Sequence, residues 1–346
     1  MTNDHLDSPD PGVLLSDRRL DAYRGTRTLV TGGLGFIPSN VVRALATLGS
    51  SVVAVDSLSP GQGGNRFNLA GIADKVDLRI ADIRDEAAMT DAVKSCDFVF
   101  NMAASVSHLD SLKDPFPDFD VNARGNLLML EVIRKNAPAA RVVYAGTRSE
   151  YGLIQTSPVS ETHPLLPTET NSANKAVAGM YHTAYHIAHG LQTVTMRLTT
   201  TYGPRMLVKH WRQGFINWFV RLAVEGGTFQ LYGDGTQVRD LVYVDDTVRA
   251  LLLAPIVPGT AGQTFNIGSA VPVSLKEIAE ILIDISGKGA IEYTPFPEDA
   301  KRIEIGDYVA DVTKITDVID WRPLVSLRDG LERSIRYYQK YGEHYW

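Results

Sequence analysis

The chain has 346 residues, of which 44% are hydrophobic and 21% are charged, and its formal net charge is −6. This composition is typical of a globular protein and excludes a disordered or fibrous chain. Because there is no basic block, the sequence offers no electrostatic footprint for nucleic acid. No apolar run approaches the roughly 20 residues that span a bilayer. We therefore expect neither a nucleic-acid partner nor a membrane partner.

The N-terminal segment and the cysteine content indicate where the protein works. Residues 1–24 are rich in Asp, Ser and Pro, and we expect them to form a flexible leader that lacks the apolar core of a secretory signal. The single cysteine, Cys96, excludes a disulfide framework. These features predict a cytoplasmic protein.

Short apolar runs alternate with amphipathic stretches from Thr28 onward. We predict buried strands at 28–30, 52–55, 78–80, 98–100, 141–145 and 193–198, and helices at 41–48, 127–134 and 173–188. This alternation predicts an α/β fold, a doubly wound parallel sheet of the Rossmann type covered by helices on both faces. Beyond about Thr200 the pattern loosens into glycine-rich turns. We predict a sheet domain over 25–199 with a returning segment near 236–254, and a smaller C-terminal α/β lobe over 200–346.

A glycine-rich loop joins the first predicted strand to the first helix. Glycines let the backbone approach a pyrophosphate, and a helix N-terminus offers free N–H groups and a positive potential. Asp56 ends the next strand, where a carboxylate accepts both ribose hydroxyls of NAD and repels the 2′-phosphate of NADP. The loop therefore predicts NAD as the cofactor. The loop residues expected to contact it are Gly32, Gly35, Phe36 and Ile37.

Two later strand ends would complete the cofactor site. Asp82 and Ile83 follow the third strand, where Asp82 either faces the adenine amino group or belongs to an ordinary surface turn. Ala103 lies among the small residues after the fourth strand, which suit close passage of the cofactor. Plain core packing explains those alanines as well.

Several longer motifs follow one another in a characteristic order. They are TGGLGFIP at 31–38, ADIRD at 81–85, NMAA at 101–104, DVNARGN at 120–126, YAGTRSEYG at 144–152, MRLTTTYGPR at 196–205, YGDGTQVRDLVYVDD at 232–246, FNIGS at 265–269 and DWRPLVSLRDGL at 320–331. With them the chain resembles the extended short-chain dehydrogenases/reductases, the NAD-dependent nucleotide-sugar epimerases and dehydratases similar to UDP-glucose 4-epimerase. The resemblance implies that residues 25–199 bind NAD and that residues 200–346 mainly bind a nucleotide sugar. It also implies transient oxidation of a sugar hydroxyl, most commonly at C4.

This sequence departs from the family pattern at the catalytic base. The family uses a tyrosine four residues before a lysine that holds the nicotinamide ribose, whereas here Asn171 precedes Lys175. Thr147 matches the position that hydrogen-bonds the reacting hydroxyl. An amide cannot act as a general base near neutral pH, so another group has to replace the tyrosine. The candidates are Glu150, His108, Tyr151, Tyr202 and Asp110.

Further candidates concern the substrate. By the resemblance Arg239 reaches the substrate diphosphate, because a guanidinium suits phosphate; an ion pair with Asp240 is the alternative. Arg148 either stabilises an oxyanion or a substrate carboxylate, or is a solvated charge. Thr200 stands where the family often has an asparagine that contacts the sugar nucleotide, which leaves the sugar open. Additional candidates are Arg205 and a basic stretch at 207–214, the latter either a lid or a solvated loop.

Two classes of function remain open at this point. The main interpretation is an epimerase or dehydratase with an atypical acid/base group, with a decarboxylase as a variant. The alternative is a catalytically silent sensor or scaffold that binds NAD and a sugar nucleotide. No metal site is expected, because Asp245 and Asp246 should cap the helix that follows. The helices near 127–134 and 175–188 resemble those through which family members form homodimers.

Overall fold

The fold is built on a seven-stranded sheet in which all neighbours are parallel. The structure is a computed structural model that describes residues 9–106, 108–209, 214–296 and 306–346. Its strands are β1 Arg27–Thr31, β2 Ser51–Asp56, β3 Val76–Ile80, β4 Phe98–Asn101, β5 Arg141–Thr147, β6 Gln192–Leu198, β7 Thr200–Tyr202, β8 Thr228–Tyr232, β9 Val238–Tyr243, β10 Thr264–Ile267, β11 Pro272–Ser274 and β12 Ala290–Thr294. The six predicted strands correspond to β1 to β6, each extended by one or more residues.

Helices cover both faces of this sheet. They are α1 Pro11–Ser16, α2 Phe36–Thr47, α3 Glu86–Val93, α4 His108–Lys113, α5 Pro115–Phe119, α6 Asn126–Asn136, α7 Thr170–His189, α8 Phe215–Glu225, α9 Val244–Leu253, α10 Leu275–Ser286, α11 Thr313–Ile319 and α12 Leu327–Tyr341. A π-helical segment at 120–125 joins α5 to α6. Across the described ranges, no helix combines the length and the apolar character that crossing a membrane requires.

The strands are apolar because they are buried on both sides. Leu29 of β1 pairs with Val53 of β2 and packs in the core on one face. The next pair, Val30 and Ala54, packs in the core on the other face. Alternate residues therefore serve two cores, which explains why the sequence shows continuous apolar runs.

The strand order is β10, β6, β5, β4, β1, β2, β3. The chain leaves β1 toward β2 and β3 on one side, and toward β4, β5 and β6 on the other. Such a reversal opens a crevice at the carboxyl ends of β1 and β4, where ligands of doubly wound folds bind. The Rossmann-type prediction is confirmed.

The C-terminal part of the chain contributes more to the main sheet than the sequence predicts. Strand β10 pairs with β6, although it lies outside the returning segment expected near 236–254. Within that segment, α9 packs on α2, and β9 joins a three-stranded sheet with β7 and β11. The remaining elements form a small lobe in which β8 and β12 pair in parallel and helices α8, α10 and α12 pack together.

The prediction of a flexible leader over 1–24 is wrong for residues 11–23. Helix α1 and a 3₁₀ helix over Arg18–Tyr23 lie on the body of the protein. Leu20 and Tyr23 are fully buried, and the Tyr23 hydroxyl donates to the Leu252 carbonyl at 2.6 Å. Burial of these two apolar side chains outweighs the acidic composition. Residues 1–8 lie outside the described ranges.

We predict that Leu20→Ala lowers the free energy of unfolding by about 2–5 kcal/mol, because it empties a fully buried site. Leu15, which lies nearby and is 55% exposed, provides the control, and Leu15→Ala should change stability by less than about 0.5 kcal/mol. Urea unfolding followed by circular dichroism measures both. Equal effects of the two substitutions would contradict the ordered N-terminal segment.

Candidate active site

A large cavity lies at the crevice between β1 and β4. Its volume is about 570 Å³, within the range typical of ligand sites. It is lined by the turns after β1, β2, β3, β4 and β5, by the first turns of α7, and by residues 198–201 and 214–217. Every residue predicted to contact the cofactor lines it: Gly32, Gly35, Phe36, Ile37, Asp56, Asp82, Ile83, Ala103 and Lys175.

The loop after β1 is shaped for close approach to another molecule. Gly32 has a φ of 70°, and a Cβ there would lie 3.0 Å from the Ala103 Cα. Gly35 caps α2 without a side-chain hydrogen bond, so the first N–H groups of that helix keep their capacity to bind an anion. Pro38 lies in the first turn, where its missing N–H costs nothing. These features fit a dinucleotide pyrophosphate.

Asp56 anchors the same loop and faces the cavity. One carboxylate oxygen accepts from the Leu34 N–H at 3.0 Å, and the other accepts from the Leu58 N–H at 2.8 Å. Each oxygen retains a lone pair for a ribose hydroxyl. Nearby, Asp82 forms a bidentate pair with Arg84, and these hydrogen bonds lower the pKa of Asp82.

The other end of the cavity carries Thr147, Asn171 and Lys175. Thr147 ends β5 and caps a 3₁₀ turn over Arg148–Tyr151. Its hydroxyl lies 2.9 Å from the Ser149 hydroxyl. Asn171 and Lys175 are one turn apart on α7, and together with Thr147 these three predicted catalytic residues line the same cavity.

Glu150 occupies a structural position. Its carboxylate is fully buried, accepts from the Thr147 N–H at 2.8 Å and pairs with Arg197 at 2.8 Å. A side chain on Gly146 would collide with it. Burial raises the pKa of Glu150. Because Glu150 closes the capping box behind Thr147 and does not line the cavity, its position does not support the predicted catalytic role.

The other residues proposed to replace the tyrosine lie elsewhere. The Tyr151 hydroxyl donates to Asn266 at 2.6 Å, and the Tyr202 hydroxyl donates to the Leu327 carbonyl at 3.2 Å. Neither tyrosine lines the cavity, and nor does Asp110. The side chain of His108 lies outside the described part of the chain.

Of the predicted substrate residues, Thr200 lines the cavity, as do Leu207 and Gly214 at the two ends of the predicted lid. The Arg239 guanidinium donates to the Val238 carbonyl at 2.9 Å and to the Gly306 carbonyl at 3.4 Å. Arg148 lies over the Tyr308 ring, 5.5 Å from its centroid.

Arg205 donates to the Asn40 side chain at 2.9 Å and lines a separate cavity of about 230 Å³. Its position therefore does not support the predicted substrate contact. Residues 210–213 of the predicted lid are not among the described residues.

The two adjacent aspartates at the start of α9 accept hydrogen bonds from backbone N–H groups far along the chain rather than from those of their own helix. Asp245 accepts from the Asp10 N–H at 3.2 Å, and Asp246 accepts from the Leu324 and Val325 N–H groups at 2.9 Å each. The prediction that they cap α9 is therefore wrong. The described residues contain no group of three or more side chains that could hold a metal ion.

The structure reveals a buried polar network that the sequence analysis missed. Asp118, 2% exposed, accepts hydrogen bonds from the amides of Asn122 at 3.0 Å, Asn171 at 2.6 Å and Asn174 at 2.8 Å. Asn122 and Asn171 also donate to the Ser105 carbonyl, at 3.0 and 2.9 Å. We call these five residues the Asp118 cluster. The four-residue spacing of Asp118 and Asn122 on one helical stretch was its available sequence signal.

Lys175 lies beside the Asp118 cluster, over buried aromatic residues. Its Nζ is 5.7 Å from the centroid of the Tyr144 ring, and that ring stacks on His182 at 4.5 Å. Burial lowers the pKa of Lys175, whereas Glu150 and Asp118 act in the opposite direction. Burial also lowers the pKa of His182 to about 4, so this histidine is neutral.

The fold and the cavity together define a dinucleotide-binding α/β protein, and comparisons specify its class. The sequence profile of the NAD dependent epimerase/dehydratase family matches residues 28–268. The low-salt glycan biosynthesis protein Agl12 of Haloferax volcanii is 36% identical over 314 residues, which cover 90% of this chain and 97% of that protein.

Two solved structures are similar over most of the chain. UDP-glucose 4-epimerase of Thermotoga maritima, solved with UDP-glucose, has a TM-score of 0.83 and 30% identity, covering 91% of this chain and 99% of that one. DesIV of Streptomyces venezuelae, a dTDP-glucose 4,6-dehydratase solved with NAD, has a TM-score of 0.81 and 31% identity, covering 91% and 97%. The chain belongs to the NAD dependent epimerase/dehydratase family, and its cofactor is NAD.

We predict that the free energy of unfolding falls as the pH drops from 6.5 to 4. Since the pKa of His182 is about 4 in the folded protein and about 6.5 when unfolded, the unfolded state binds more protons in this window. The contribution lost is about 3 kcal/mol. His182→Gln should remove this part of the pH dependence in urea titrations. An identical slope in both proteins would contradict burial of a neutral His182.

We predict that the protein binds NAD more tightly than NADP, because the Asp56 carboxylate repels a 2′-phosphate. Asp56→Asn should weaken NAD binding about tenfold, as expected for loss of a charged hydrogen bond. It should also lower the ratio of the affinity for NAD to the affinity for NADP. Isothermal titration of protein stripped of nucleotide measures both constants. Asp234→Asn, in an exposed turn, is the control and should change neither. An unchanged ratio in Asp56→Asn would contradict ribose recognition by Asp56.

Proposed function

We propose that the protein is an NAD-dependent nucleotide-sugar epimerase or dehydratase that oxidises a sugar hydroxyl, most commonly the one at C4, and later reduces the ketone. One observation carries the proposal. A single cavity joins the glycine loop and Asp56 at one end to Thr147, Asn171 and Lys175 at the other. A cofactor and a substrate carbon can thus meet over these three side chains.

Different residues of the cavity bind the cofactor and the substrate. The α2 N-terminus and Gly32 hold the pyrophosphate, Asp56 holds the adenine ribose, and Lys175 reaches the nicotinamide ribose. NAD supplies a hydride acceptor when bound. Thr147 positions the reacting hydroxyl, because it lines the cavity at the end of β5 and carries a hydroxyl of its own. Thr200 lies nearby and contacts the sugar nucleotide.

Epimerisation is the branch that the lining favours. Dehydration and decarboxylation need an additional acid, base or anion-stabilising group near the sugar. In the described part of the lining the carboxylates are Asp56 and Asp82, and both follow strands on the cofactor side. Epimerisation requires only that the keto sugar rotate between the two hydride transfers. It therefore needs no additional acid, base or anion-stabilising group.

The competing proposal is a sensor or scaffold that binds NAD and a sugar nucleotide without turnover. It is supported by the amide at position 171. Lys175 and Thr147 argue against it, since both line the cavity at the positions that the resemblance assigns to the reaction. A cytoplasmic location remains a prediction that rests on the single cysteine.

We predict that the NAD-loaded protein converts at least one member of a panel of UDP-, dTDP-, GDP- and CDP-sugars. Product mass and sugar-ring NMR distinguish an epimer of unchanged mass from loss of water or carbon dioxide. Thr147→Val should lower the rate about 10²-fold, as expected when one hydrogen-bonding group at a reacting oxygen is removed. The control is Thr162→Val, at an exposed threonine. Binding of NAD and sugars without any product would favour the sensor.

A homodimer is the assembly that the surface supports. Helices α5 and α7 pack side by side and expose Phe116 to 73%, Met180 to 55% and Ile187 to 78%. Met180 and Ile187 lie seven residues apart and therefore share a helix face. Exposed apolar side chains on one helix face are typical of an interface.

We predict that Ile187→Glu converts the dimer to a monomer in sedimentation velocity at micromolar concentration, because it places a charge in an apolar interface. Leu324, 64% exposed and outside these helices, provides the control. Leu324→Glu should leave the sedimentation coefficient unchanged. A wild-type protein that sediments as a monomer would contradict the proposed interface.

A further inference from the structure

Position 171 is filled by a residue that the surrounding structure requires. Both neighbours of the Asn171 amide nitrogen are acceptors, the Ser105 carbonyl at 2.9 Å and Asp118 at 2.6 Å. This fixes which end of the amide is nitrogen and uses both of its hydrogens. The oxygen Oδ1 is left as the polar atom that can accept a hydrogen bond from a ligand in the cavity.

The Asp118 cluster holds that amide and the loop after β4. Asn122 accepts from the Ser105 N–H at 3.0 Å and donates to the Ser105 carbonyl at 3.0 Å. Asp118 accepts three amide hydrogen bonds and does not line the cavity, so it does not contact a substrate. The cluster is therefore a device that orients Asn171 and Ser105.

Lys175 is the titratable group at this end of the cavity. Among the described lining residues, the other ionisable side chains are Asp56, Asp82 and Arg84. The backbone binds Asp56, and Arg84 binds Asp82. Within the described ranges no hydrogen bond or ion pair involves the Lys175 amine, which leaves it available to a substrate.

The environment of Lys175 opposes a permanent positive charge. Among the described residues, the charged and titratable groups that face it are Glu150 from the turn after β5, Asp118 from α5 and Tyr144 from β5. Glu150 is already paired with Arg197 of β6, and Asp118 already accepts hydrogen bonds from three side-chain amides. Burial outweighs both carboxylates and lowers the pKa of Lys175.

We propose that Lys175 accepts and returns the proton of the reacting sugar hydroxyl, and that Asn171, held by Asp118, is a positioning residue whose Oδ1 accepts a hydrogen bond from that hydroxyl or from a bridging water. In the forward step the O–H proton passes to the neutral amine and forms an ammonium. The electron pair of the C–H bond leaves as hydride to the nicotinamide of NAD, and the carbon becomes a ketone. Reduction reverses both transfers. This inference rests on the proposed function.

The first test measures the protonation of Lys175 without any sugar. The NAD-loaded protein is labelled with [ε-¹³C]lysine and titrated by NMR, and Lys175→Arg identifies the resonance. Because Lys175 is buried, we expect it to titrate below the ordinary lysine pKa, which gives it a larger neutral fraction. A Lys175 that titrates with the exposed lysines would overturn the proposal.

The second test separates the two roles by kinetics. The rate of reduced-nicotinamide formation is measured against pH with a converted member of the sugar panel. The pH–rate profile of the wild type should show a limb, that is, a change of slope, at the pKa that NMR gives for Lys175. Asn171→Ser should lower the rate at least tenfold and keep that limb, because it alters position only. Lys175→Arg should abolish the limb, and small primary amines should partly rescue Lys175→Ala. A limb retained by Lys175→Arg would overturn the assignment.

A third variant tests whether a tyrosine at position 171 would improve the activity. A phenol has one hydrogen, so Asn171→Tyr leaves either the Ser105 carbonyl or Asp118 without its donor. We expect a rate at least tenfold below wild type, and a faster variant would overturn the proposal. Failure of the proposed function looks different, since no sugar of the panel would then reduce the bound NAD. Failure of the Lys175 assignment alone leaves turnover intact in Lys175→Arg.

Discussion

Every site residue depends on the parallel pairing of β1 with both β2 and β4. The Thr31 hydroxyl at the end of β1 accepts from the Met102 and Ala103 N–H groups at 2.9 and 3.0 Å. These bonds bring the turn after β4 against Gly32, where no side chain fits. The crevice between the two turns is where the cofactor and the substrate meet. The order of the strands switches sides at β1, and without that switch Asp56 and Lys175 would line no common cavity.

The sequence predicts this half of the site well because the signals are local. Glycines between a strand and a helix, and an aspartate at the next strand end, have the same meaning wherever parallel strands align. All nine predicted cofactor contacts line the cavity. The segment 11–23 was harder to predict, because its Tyr23 contacts residues far along the chain, namely Phe98, Phe100 and Leu252.

The catalytic half was less predictable, because its contacts join distant residues. Asp118 and Asn171 are 53 positions apart, and no local pattern announces that their side chains meet. Glu150 shows the same difficulty, because its sequence position suggested a site residue that the structure does not place in the cavity. Its position in the 148–151 turn suggested an acid in the cleft, but the carboxylate turns inward to Arg197. Sequence spacing gives the backbone position of such a side chain and not the direction in which it points.

The most direct test of the account follows the hydride itself. UDP-glucose and dTDP-glucose, each deuterated at C4, are mixed with the NAD-loaded protein and quenched in acid during the first turnover. Transient oxidation predicts that deuterium appears on the reduced nicotinamide, detected by mass spectrometry, and then in the sugar product. A cofactor that stays oxidised while the deuterium remains at C4 of both sugars would contradict transient oxidation at that carbon.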